Sequence, residues 1–181
     1  MRVTTSDYAS ADYYYVNKSS LPKVYGGFNT SLSWKGFDLS AIFAYSIGGY
    51  IYNRDITMIL HNGSLEGRAW STEILRRWTP DNRYTDVPAL STTSNNWNSA
   101  STRFLQNNSY MRLKNLTLSY NLPKPWVSKL ALSSVQVYVQ GDNLFTIHEN
   151  QGLDPEQGIT GITYYRYPAM RTISGGINIA F

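Results

Sequence analysis

The 181-residue chain contains no cysteine, which excludes disulfides and thiolate metal sites and says little about compartment. Charge is also scarce: Asp, Glu, Lys and Arg together make up 15% of the residues. The formal net charge is +4, with Lys and Arg scattered along the chain. No basic stripe results, so a nucleic-acid partner is not expected. No apolar run reaches the ~18 residues of a membrane-spanning helix. The opening "MRVTTSDYAS" lacks the apolar core of a secretory leader, so none is expected there. The only histidines, His61 and His148, have neither a Ser or Cys triad context nor metal-ligand spacing. No catalytic constellation emerges, so the chain is not expected to be an enzyme, and no cofactor or metal is expected.

Aromatic residues are plentiful, with 15 Tyr, 5 Trp and 6 Phe. Asn, Ser, Thr and Gly accompany them. That mixture suits half-polar strands joined by polar loops. The order of the residues bears this out. In "GGFNTSLSW", Phe28, Leu32 and Trp34 share one face, and Asn29, Ser31 and Ser33 share the other. After the tight turn "WKGFD", Phe37, Leu39, Ala41, Phe43, Tyr45 and Ile47 lie opposite Asp38, Ser40, Ala44 and Ser46, with Ile42 as an exception. A period of two marks strands, and these two form a hairpin. The pattern returns in "SYMRLKNLTLSYNLP", in "VQVYVQGDNLFTIH" and in the closing "TISGGINIAF". Strands are expected near 24–34, 37–50, 109–122, 134–148 and 170–181. Between them, "LEGRAWSTEILRRW" fits a short helix with a Trp70–Ile74–Trp78 stripe. Residues 53–108 and 149–168 otherwise read as long loops.

A soluble antiparallel sheet with one wet face would also alternate. Three features favour lipid. The polar faces are Asn, Ser, Thr and Gln rather than Lys and Glu. Tyr and Trp gather near strand ends, as in interfacial girdles. Loops alternate short and long, as they do in outer-membrane barrels. One strand conflicts with this phase: if Leu116, Leu118 and Leu122 face lipid, so do Arg112 and Lys114. Either headgroups take these two charges, or a bulge near Asn115 turns them away.

Several stretches together resemble the SusC-like (SusC/RagA) TonB-dependent outer-membrane transporters. These are "STRFLQNNSYMRLKNLTLSYNLPKPWVSKL", "VYVQGDNLFTIHENQGLDPE", "YPAMRTISGGINIAF", "PKVYGGFNTSLSWKGFDLSAIFAYSIGGYIYN" and "RRWTPDNRYTDVPAL". The resemblance runs over roughly residues 20–181. It implies an all-β antiparallel meander: about the last five strands of a 22-stranded transmembrane barrel with long extracellular loops. The plug domain is expected to be absent from these residues. The implied function is the C-terminal barrel portion of an importer of glycans or other oligomeric nutrients. The implied partners are a SusD-like surface lipoprotein, TonB (through the missing plug region), outer-membrane lipid and the barrel assembly machinery. The fragment alone is not expected to transport. The competing readings are a small closed outer-membrane barrel and a glycan-binding surface module, such as a secreted β-sandwich.

Two groups of residues carry functional expectations. The terminal "SGGINIAF" fits a sorting signal for the outer membrane, with Ser174, Gly176, Ile179 and Phe181 at its fixed places; strand addition to the assembly machinery is the physical means. Tyr13, Tyr14, Tyr15, Trp70, Trp78, Trp97, Tyr164 and Tyr165 lie on predicted external loops. They are candidates for substrate or lipoprotein contact, with packing of the loops as the alternative. Asp81, Asn82 and Asp86 lack calcium-loop spacing. Asp154 and Glu156 of "GLDPE" are better explained by turn chemistry than as a glycosidase pair.

Overall fold

The computed structural model describes residues 7–63, 65–93, 96–150, 152–156, 158–163 and 165–181. These residues form two compact units. The first contains Met1–Ser20, Tyr50–Gln106 and Gly158–Arg166, and the second contains Leu21–Gly49, Asn107–Gln157 and Tyr167–Phe181.

The second unit is built on one antiparallel sheet. Its strands are β1 (Val24–Trp34), β2 (Phe37–Ile47), β5 (Tyr110–Asn121), β6 (Ser134–His148) and β7 (Thr172–Ala180), in that spatial order. They run from 9 to 15 residues, against the ~9–11 residues that cross a bilayer as a tilted strand. Lys35 and Gly36, both at positive φ, close the β1–β2 hairpin. Two positive-φ residues match the natural twist of the flanking strands. A Cβ on Gly36 would also sit 3.1 Å from the Asn121 carbonyl oxygen. At the same end of the sheet, α2 (Lys124–Val127) lies in the short connection from β5 to β6. The long connections all leave from the opposite end, where Ser46, Tyr110 and His148 pair in one row.

Register divides the sheet into two faces. One row runs Leu32, Leu39, Leu118, Val139; the next runs Trp34, Phe37, Tyr120, Val137, Ile177. Phe28 stacks on Phe43 with centroids 4.7 Å apart, and Phe37 meets Tyr120 at 4.5 Å. No charged residue interrupts this face, and most of it is exposed. Amides and hydroxyls cover the other face: Asn121 Nδ2 donates to Asp38 Oδ2 at 2.7 Å, Gln136 Nε2 donates to Ser119 Oγ at 3.3 Å, and Asn178 Nδ2 donates to Gln136 Oε1 at 3.1 Å.

The phase conflict in β5 is resolved by a bulge. The polar face runs from Ile42 to Ala44 on β2, from Asn115 to Arg112 on β5 and from Asp142 to Thr146 on β6. Each successive strand spends one residue more on the same stretch. Lys114 is the extra residue of β5, so Arg112 joins Asn115 on the polar face while Leu113 and Leu116 stay on the apolar one.

Some expectations need correction. The second strand ends at Ile47, not at 50, because Gly48 turns the chain with φ +90°. Residues Tyr50–Tyr52 form a separate short strand, β3, paired with β4 (Leu105–Asn107). The last strand covers Thr172–Ala180 rather than 170–181. The helix expected over 65–78 does not form: Gly67 takes φ +72°, and only a 3₁₀ turn, Thr72–Arg76, appears, ended by extended Arg77. A small closed barrel is overturned as well. Among the described residues the five-stranded sheet is open, with β1 and β7 as edges, and the other sheet has two strands of three residues. That second sheet is too small to make a sandwich.

The first unit has a small core of its own. Ile51, Leu60, Ile74, Val87 and Phe104 are buried. Around them are β3, the helix α1 (Arg54–Ile59) and 3₁₀ turns. Asn53 caps α1, its side chain accepting from Ile56 N, which satisfies an otherwise orphaned donor.

Candidate functional site

The densest polar arrangement lies in the sheet-bearing unit. The bulge places Arg112 on the polar face, and the "GLDPE" loop brings two carboxylates to it. Arg112 Nη2 donates to Asp154 Oδ1 at 2.5 Å, Nη1 to Glu156 Oε2 at 2.8 Å, and Nε to Thr146 Oγ1 at 2.8 Å. Lys114 Nζ reaches both Glu156 oxygens at 2.6 Å. The side chains of Arg112 and Asp154 are 4% and 6% exposed. Two cations thus meet two anions, with every guanidinium nitrogen used.

Asp154 also organises its own loop. Its Oδ1 accepts from Glu156 N at 2.9 Å, an Asx turn, and its Oδ2 accepts from Ala169 N at 2.6 Å. Burial pushes its carboxyl up, but the Ala169 N–H, Arg112 and the Glu156 N–H outweigh burial and hold it below the ordinary carboxylate range. Asp154 is therefore held as an anion, and both carboxylates are paired with cations and fixed in the loop, which agrees with the turn reading of "GLDPE". The sequence contained a signal for this cluster: "MRLK" and "GLDPE" are opposite charges in stretches otherwise almost devoid of charge.

The loop-built unit sorts the aromatic candidates. Trp70 Nε1 donates to His61 Nδ1 at 3.0 Å, and His61 is 1% exposed. Trp97 Nε1 donates to Leu60 O at 2.6 Å, and the Arg103 guanidinium lies 3.5 Å from its ring centroid. These two tryptophans pack the loops together. Trp78 is half exposed, and Tyr13, Tyr14, Tyr15 and Tyr165 are well exposed. Tyr164 lies outside the described residues. Asp86 pairs with Arg76 and Arg103, and Asn82 Nδ2 donates to Arg76 O and Arg77 O, so both side chains hold loop structure. His148 Nδ1 is 2.9 Å from Asn150 O, at the end of β6.

This unit also contains a cavity of about 530 Å³ to which no sequence pattern points. Tyr52, Arg54, Met58, Leu65, Asn98 and Ile162 are among its lining residues. It draws on three separate stretches of chain, and none of the described aromatic candidates is among its lining residues. Burial raises the Tyr52 phenol above its ordinary value, against the backbone N–H of Ser101, so at neutral pH the group is protonated.

No family model matches the chain. The TonB-dependent receptor P3 of Formosa agariphila is 37% identical over 167 residues, which cover 86% of this chain and 16% of the receptor. The TonB-dependent receptor SusC of Bacteroides thetaiotaomicron is 26% identical over 171 residues, 92% of this chain and 16% of SusC. Among solved structures, the RagAB peptide importer in its "closed-closed" state matches 99% of this chain and 19% of that chain, with a TM-score of 0.85 at 36% identity. In its "open-open" state the TM-score is again 0.85, at 35% identity. The chain spans about a sixth of the length of these curated relatives. Sequence agrees along most of the chain and backbone agrees with both states of one importer, which leads to one conclusion: this is a β-barrel segment of a SusC-like (SusC/RagA) TonB-dependent receptor of the bacterial outer membrane.

Proposed function

We propose that these residues form part of the wall and external loops of an energy-coupled outer-membrane importer of oligomeric nutrients. The observation that carries this reading is the uncharged apolar face spanning five strands, backed by amides and hydroxyls. Lipid covers such a face, and a water-filled or plugged lumen suits the other. The cargo is a glycan or a peptide: the family resemblance of the sequence motifs implies glycans or other oligomers, while the similar RagAB importer takes peptides. A SusD-like surface lipoprotein caps the loops. TonB drives import through the plug region, which lies outside these residues. Ser174, Gly176, Ile179 and Phe181 on and after β7 present the terminal strand to the assembly machinery. Of the aromatic candidates for substrate or lipoprotein contact, Tyr13, Tyr14, Tyr15, Trp78 and Tyr165 are exposed, Trp70 and Trp97 are weaker because their indoles are bonded within the loops, and Tyr164 lies outside the described residues.

The test is the size of the native polypeptide. An antibody to residues 160–181 is used on fractionated source cells. A heat-modifiable outer-membrane band is expected at roughly 100 kDa or more, because the 167 matched residues span only 16% of receptor P3. A band near about 20 kDa would overturn the importer reading.

A further inference from the structure

We infer that the short-connection end of the sheet holds an anionic phospholipid of the periplasmic leaflet, its headgroup taken by Lys35, Lys124 and Lys129. This goes beyond the importer reading and rests on its barrel wall lying in lipid. Short turns lie on the periplasmic side of outer-membrane barrels. Two connections meet at this end: the Lys35–Gly36 turn, and the stretch that carries α2 and the 3₁₀ turn Ser128–Leu130. Asn121 N donates to Gly36 O at 2.8 Å, which ties the turn to the end of β5, three residues before Lys124. β1 and β5 lie two strand spacings apart in the sheet, or about 10 Å. That is the scale of a phospholipid headgroup.

The side chains here suit a membrane interface. Trp34, Trp126 and Leu130 are well exposed, while Val127 is buried. Tryptophan favours the headgroup level. Trp126, Lys129 and Leu130 follow one another at i, i+3 and i+4, the spacing of neighbours along one side of a helical turn. Lys35 Nζ lies 4.9 Å from the Trp34 ring centroid, within cation–π range. Charge then selects the lipid. Among the described residues none of the three ammonium groups has an ion pair, whereas Arg76, Arg103, Arg112 and Lys114 all do. The stretch 122–134 contains no acidic residue. Asp38, the nearest acid in the hairpin, accepts from Ser33 and Asn121 on the polar face. Unpaired lysines beside exposed tryptophans attract a phosphodiester at a lipid surface. A zwitterionic lipid would bring its own cation into the same place, where the lysines repel it.

The complete receptor, purified from the outer membrane in a neutral detergent, is titrated with phosphatidylglycerol and with phosphatidylcholine, and the lipids retained are counted by native mass spectrometry. Phosphatidylglycerol should be retained in preference. The triple variant Lys35→Gln/Lys124→Gln/Lys129→Gln should lower that preference threefold or more, with the heat-modifiable barrel band unchanged. Lys35→Arg/Lys124→Arg/Lys129→Arg, which keeps the charges, should restore it. Lys23→Gln, at the opposite end of the sheet beside Ile47, should behave as the parent does; a loss there as large as in the triple variant would mean general charge attraction and overturn the site. If the triple variant does not reach the membrane, Lys124→Gln/Lys129→Gln decides, with an expected loss of twofold or more. Unchanged preference in the variants that fold overturns the site. Displacement of the lipid by an equal concentration of inorganic phosphate overturns the lipid assignment in favour of a soluble anion. A receptor missing from the outer-membrane fraction overturns both this site and the importer reading, whereas one present there without lipid preference overturns the site alone.

Discussion

Arg112 shows how a buried charge is tolerated in a sheet that faces lipid on one side. Its guanidinium is taken out of water and compensated by Asp154, Glu156 and Thr146. Removing one partner of such a pair costs about 3–5 kcal/mol, because the other charge is left buried and alone. In the complete receptor, Asp154→Asn should therefore free the loop over 149–171, read as faster hydrogen exchange and new protease cuts there. The pH dependence follows from the same bonds. A carboxyl whose folded pKa lies below its unfolded value of about 3.9 stabilises fully above that unfolded value, and the stabilisation fades as pH falls through the folded one. Exchange protection of this loop should hold from neutral pH to about 4 and fail below it. Asp154→Asn should flatten that dependence; a loop that loosens between pH 7 and 5 would contradict the assignment. None of this was legible from spacing, since Arg112 and its acidic partners are more than forty positions apart.

At the scale of elements, the five long strands were legible because their period of two extends over many residues, as in the Leu116–Tyr120 run. Their ends were less so: nothing in "SIGGYIY" announces that Gly48 breaks β2 from β3. The stretch 65–78 was misread because Trp70, Ile74 and Trp78 are spaced like a helical stripe, while Gly67 at positive φ and the extended Arg77 forbid one. The sequence did show an irregularity in β5, as a conflict of phase at Arg112 and Lys114, without showing which remedy applied. β7 carries a further constraint. Tyr138 pairs with Gly176, and a Cβ on that glycine would lie 2.7 Å from the Tyr138 hydroxyl. Gly176→Val should cost about 1–3 kcal/mol by overpacking. In a Tyr138→Ala background the cost should shrink, and a double-mutant cycle on urea midpoints measures the coupling. Strict additivity would mean that the ring and the glycine do not interact. Gly176 is also a fixed place of the proposed sorting signal, so this cycle separates its folded-state role from recognition during assembly.

On the scale of the whole molecule, the five-stranded sheet has two edges, β1 and β7, that no strand pairs with among the described residues. In hydrocarbon each unsatisfied N–H or C=O costs several kcal/mol, and in water the apolar face has nothing to cover it. Expressed alone, the chain should neither insert stably nor stay monomeric; sedimentation velocity should show large assemblies. A soluble monomer that melts cooperatively would refute this. What holds the barrel wall in phase is local, and the bulge at Lys114 makes that plain. Deleting Lys114 would act on the wall as a frameshift acts on a gene: every side chain from Leu113 back to Tyr110 would exchange compartments, with Arg112 turned to the membrane and Leu113 to the lumen. Homologous receptors should therefore tolerate many substitutions around this position and almost no gain or loss of a single residue.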